Sequence, residues 1–135
     1  MKRTVYFISI LALSFSACTK EQAPTIYGKW IRTEVAYFVS RNELVWVPEA
    51  PMYPYILEFK KDNIYFIYED YSSYLPEGSF HLNLRKRALI FDKHERIINF
   101  PSRTPYELQI VALESNLLWL KNDIGYAVKF KRYYE

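Results

Sequence analysis

Gly78-Ser79-Phe80-His81-Leu82-Asn83-Leu84-Arg85 alternates apolar and polar residues without a break. In an extended chain successive side chains point to opposite faces. Phe80, Leu82 and Leu84 therefore share one face, and Ser79, His81, Asn83 and Arg85 share the other. A helix would scatter the same apolar groups around its circumference. The stretch predicts a β-strand with one dry and one wet side. Tyr126-Ala127-Val128-Lys129-Phe130-Lys131-Arg132 repeats the pattern, with Tyr126, Val128 and Phe130 on the dry side.

Outward from these two, the chain continues as short β-branched and aromatic runs: Trp30–Val39, Tyr55–Lys60, Ile64–Glu69, Ala88–Asp92, Arg96–Phe100, Tyr106–Leu113 and Leu117–Lys121. No run shows helical periodicity. Lys61-Asp62-Asn63, Arg85-Lys86-Arg87 and Glu114-Ser115-Asn116 read as hairpin turns, since Asp and Asn tolerate the left-handed backbone of tight turns. About eight to ten strands at even spacing predict an all-β fold, an antiparallel up-and-down β-barrel of about eight strands, with a sandwich as the alternative. The inward set is Trp30, Leu57, Phe59, Phe80, Leu82, Leu84, Phe91, Leu108, Ile110, Val128 and Phe130.

The chain has 135 residues, the size of one domain, with 13 Tyr, 9 Phe and 3 Trp. Its three glycines, Gly28, Gly78 and Gly125, are too scattered for a phosphate-binding loop or a dinucleotide fingerprint. Lys2 and Arg3 precede the apolar Val5–Leu13, and Ser14–Ala17 lead to Cys18, the chain's one cysteine. A basic start, a short apolar core and small residues make a secretory signal, too short for the about 20 residues of a membrane span. Lys2 and Arg3 take two of the 18 basic residues with them, leaving 16 against 15 acids, near +1. Such a balance gives no positive field for nucleic acid.

Ser16-Ala17-Cys18 resembles the lipobox of bacterial lipoproteins, although Phe15 stands where that pattern usually has Leu. The resemblance implies a signal peptide over 1–17, a diacylated and usually N-acylated Cys18, and a tether over 18–25. A plain signal peptide is the alternative. Ile26-Tyr27-Gly28-Lys29-Trp30, Ile56–Asn63, Gly78-Ser79-Phe80, Leu89-Ile90-Phe91, Leu117–Leu120 and Phe130-Lys131-Arg132, taken in order, resemble the lipocalin-like domains of Gram-negative bacterial lipoproteins. That likeness spans roughly 26–134. It implies a barrel domain over 26–135 in the cell envelope at the outer membrane, on its periplasmic face or the cell surface.

Trp30 and Arg132 are the expected barrel-closing pair. An indole covers much apolar area, and a guanidinium stacks on its face while donating to strand-end carbonyls. Ser40–Pro54 reads either as a lid over an open mouth or as a further strand at Leu44–Val47. Trp46, Met52, Tyr53, Tyr55, Phe59 and Phe80 are the candidate contacts for a small apolar or amphiphilic ligand. The rival reading is a solid-core module that recognises an envelope protein.

His81 and His94 lack metal-ligand spacing, and no nucleophile has a recognisable neighbour. Neither a cofactor nor a metal is expected, and a non-enzymatic role follows. The expected partners are the membrane, through Cys18, and a small apolar ligand or an envelope protein.

Overall fold

A computed structural model describes residues 23–49, 52, 54–69, 76–93, 97, 102–104 and 106–135. The described residues form nine strands and no helix: β1 (Gly28–Ser40), β2 (Glu43–Pro48), β3 (Tyr55–Phe59), β4 (Ile64–Glu69), β5 (Gly78–Asn83), β6 (Ala88–Phe91), β7 (Glu107–Leu113), β8 (Leu117–Lys121) and β9 (Ala127–Arg132). Eight of them close into an antiparallel barrel in the order β1-β3-β4-β5-β6-β7-β8-β9, with β9 returning to β1. The ninth, β2, pairs with β1 alone among the described residues. Closure leaves the ring without a raw edge, the usual hazard of a chain this rich in strand formers.

β1 serves two neighbours on one side. Its first part, Gly28–Ile31, pairs with β3, and its second part, Glu34–Ser40, pairs with β2. Leu44–Val47 thus lies in a strand rather than in a lid. A bulge at Thr33 shifts the β1–β9 register, so that Arg32 faces Phe130 and Glu34 faces Lys129. Trp30, Arg32 and Val35 consequently face inward, whereas Ala36 and its β2 partner Trp46 face outward.

The strand centred on Phe80 ends earlier than its alternation implies. The Asn83 side chain accepts the Lys86 amide at 3.1 Å, which caps the turn and starts it at Leu84. Leu82 and Leu84, placed in the inward set above, are therefore exposed; Leu84 is 78% exposed. Tyr126 precedes β9 and packs against the core edge. The Arg96–Phe100 strand lies outside the described residues, except for Ile97, a fully buried turn residue.

Every other member of the inward set is buried, along with Tyr55, Tyr65, Ile67, Leu89, Leu118 and Leu120. The rings of Phe59, Phe80, Phe91 and Tyr65 interlock, with Phe59–Phe80 centroids 4.8 Å apart and Tyr65–Phe91 5.1 Å apart, both edge to face. Each such side chain contributes roughly 1.5–3 kcal/mol by leaving water.

The up-and-down path sends alternate connections of the ring to opposite ends. The turns at 60–63, 84–87 and 114–116 lie at the end where β1 begins. The longer spans of sequence between successive strands of the ring, 41–54 with β2 inside it, 70–77, 92–106 and 122–126, leave from strand ends at the other end, the long-connection end. Connections between strands, on a rigid frame, are where binding residues concentrate.

Candidate functional site

At the short-turn end the chain enters the barrel beneath its first indole. Trp30 is fully buried, and its Nε1–H donates to the Ile26 carbonyl at 2.8 Å. Arg132, its partner in the β1–β9 ladder, lies with its guanidinium carbon 3.7 Å from the Trp30 ring. Nη1 donates to the Tyr27 carbonyl and Nη2 to the Thr25 carbonyl, both at 2.7 Å. Gly28 is required here. Its φ is +112°, and a β-carbon on it would stand 3.0 Å from Arg132 Nη1. The Lys29 ammonium meets the Glu135 carboxylate on the outside of the same end.

Farther along β1 from Trp30, Arg32 also faces inward, with its side chain 14% exposed. Arg32 lies 4.0 Å over the Tyr55 ring and makes a two-pronged ion pair with Glu49, Nε to Oε2 at 3.0 Å and Nη2 to Oε1 at 2.6 Å. The Glu49 amide also donates to the Thr33 carbonyl at 2.8 Å. The residue after β2 is thereby tied to the adjacent strand β1 at Arg32 and Thr33. An inward guanidinium demands such a carboxylate, because an unpaired buried charge is costly.

Two polar clusters stand on the outer wall. The Lys129 ammonium sits 3.9 Å from the Trp46 ring and 5.4 Å from that of Trp119, and it pairs with Glu34 at 3.2 Å. The two indoles meet edge to face at 5.7 Å. Near β3, Glu58 is only 6% exposed although it faces outward. It accepts from Tyr68 Oη at 2.6 Å and pairs with Lys60 at 2.7 Å. Burial works to raise the Glu58 carboxyl pKa, but the bonds from Lys60 and Tyr68 outweigh it and hold the group below its ordinary value. Burial and the neighbouring carboxylate push the Tyr68 phenol well above the usual range, so it remains a donor. A shallow polar hollow of about 190 Å³, lined by Lys86, Thr104, Glu107, Gln109, Asn122 and Asp123, completes the outer features.

The structure brings Trp30 and Arg132 together. It does not bring the six candidate ligand contacts together. Trp46 lies on the outer wall, Met52 is 76% exposed, and Tyr53, like Cys18, lies outside the described residues. Phe59 and Phe80 are locked in the ring cluster of the short-turn half, while Tyr55 stands under Arg32, 6.4 Å from Phe130. His81 is exposed on the outer wall, and His94 lies outside the described residues. The Arg32–Glu49 pair escaped sequence reasoning. Its signal was there: Arg32 stands two residues after Trp30, with the parity of an inward side chain. Compared with protein-family models, with curated proteins and with solved structures, the chain finds no match.

Proposed function

We propose that this chain is a lipid-anchored lipoprotein of the cell envelope, with a lipocalin-like barrel that recognises its partner at the long-connection end. The observation that carries the proposal is the arrangement of the two ends. Arg132 bolts the Thr25–Tyr27 backbone to the short-turn end, so a chain held at Cys18 presents the opposite end outward. The interlocked rings between the two ends favour recognition on the surface, by an envelope protein, over a ligand deep inside the barrel. The role is binding, and no step of chemistry is assigned to any residue.

Arg32 supports a second reading. A small amphiphile whose carboxylate takes the place of Glu49 on Arg32, with its apolar part against Tyr55, would use groups already set at the mouth. One preparation tests both readings: native mass spectrometry of the protein drawn from the envelope, with radioactive fatty-acid labelling alongside. Label on the chain that disappears with Cys18→Ala is the expected result; equal label on both refutes the lipoprotein. A retained amphiphile of defined mass would favour the second reading, and a retained polypeptide the first.

A further inference from the structure

The two ends of the barrel differ in charge as well as in connection length. At the short-turn end Lys61, Arg85, Arg87 and Lys131 are exposed and unpaired among the described residues. Lys29, Lys60 and Lys86 instead have their own carboxylates in Glu135, Glu58 and Glu107. Asp62 and Glu114 are the remaining acids of these turns, so positive charge is in excess. The long-connection end mixes Arg41 and Arg103 with Glu43 and Asp123. Leu84 and Tyr134, each 78% exposed, project at the basic end beside those cations. Tyr is a residue of membrane–water interfaces, and an apolar Leu on a cationic turn is placed to enter the same layer.

The position of the preceding chain selects the occupant. Thr25 is fixed at this same end by Arg132. Residues 1–22 run on from there, and an extended chain from Cys18 to Thr25 reaches at most about 25 Å. We propose that the short-turn end lies against an anionic phospholipid bilayer, with Lys61, Arg85, Arg87 and Lys131 on the headgroup phosphates and Leu84 and Tyr134 at the interface. The proposal deepens the lipoprotein reading, but the attraction of the cations does not depend on an acyl chain. Each cation near an anionic surface strengthens partitioning about fivefold.

Binding is measured with Cys18→Ser in every arm, on vesicles of phosphatidylglycerol in phosphatidylcholine and on phosphatidylcholine alone. The readout is the ratio of the two affinities, in which a contribution common to all arms cancels. Adding Lys61→Gln, Arg85→Gln and Arg87→Gln should lower that ratio about 100-fold. Added salt should do likewise, and near-UV circular dichroism should stay unchanged. Arg41→Gln with Arg103→Gln at the far end should leave the ratio unaltered. A ratio near one in the parent, an equal ratio in the triple variant, or an equal loss from the far-end pair overturns the proposal. Failure of fatty-acid labelling with the ratio intact would remove the lipid anchor and leave this surface standing.

Discussion

The barrel holds two inward arginines, one at its short-turn end and one farther along β1, and they work differently. Arg132 donates to backbone carbonyls and stacks on a fully buried indole, so its partners are fixed by the fold itself. Arg32 leans on the carboxylate of Glu49, the residue after β2, so its partner is another side chain. One contact is part of the frame, and the other is a tie between side chains. The short-turn end should therefore open only with global unfolding, and the long-connection end should open locally at lower cost.

The largest break in this contrast comes from Trp30→Ala. Deleting the indole removes the surface on which Arg132 rests and leaves a cavity, at a cost of about 3–5 kcal/mol in urea unfolding. A loss under about 1 kcal/mol would mean that the short-turn end is no firmer than the other. Glu49→Gln should cost about 1–2 kcal/mol, because Arg32 keeps one acceptor and loses a charge partner. Hydrogen exchange would sharpen the point. Amides around Glu49 should exchange faster, while those of Trp30 and Arg132 stay protected; equal acceleration at both ends would erase the distinction.

The smallest expected effect lies on the outer wall of the firmer half. A carboxylate held below its unfolded value adds stability above that value and loses it as pH falls through the folded one. Glu58 is such a group, so the parent should lose stability on acidification below about pH 4.3. Glu58→Gln should show a flatter acid limb, measured by the urea midpoint across pH. An unchanged slope would place the acid sensitivity elsewhere.

Much of the frame was legible because strands betray themselves through a period of two and through turn residues. Lys61-Asp62-Asn63 is a turn in the structure, with Asn63 at a φ of 63°. Arg85-Lys86-Arg87 and Glu114-Ser115-Asn116 also fall in turns. What failed to show was phase. The bulge at Thr33 has no local mark, and it decides which side chains of β1 beyond it face inward. With Ser40–Pro54 open to two readings, a lid or a further strand at Leu44–Val47, Trp46 was placed among the mouth residues, and the β1–β2 register puts it on the outer wall. Leu84 followed the alternation faithfully and still faces water, because the Asn83 cap ended the strand first. Trp30 and Arg132 were readable from a resemblance to the lipocalin pattern, which parity and aromatic chemistry supported. Arg32 shared the parity of Trp30, but its partner Glu49 needed the β1–β2 register.

The β1–β9 ladder also sets a timetable. The first strand made on the ribosome waits for the last, so the cylinder cannot be sealed until Arg132 has been synthesised. Until then β1 and β8 each carry a bare edge, and this aromatic-rich chain is at its most prone to aggregate. A premature stop in place of Ala127, which removes Ala127–Glu135, should therefore yield insoluble protein rather than a slightly shorter barrel.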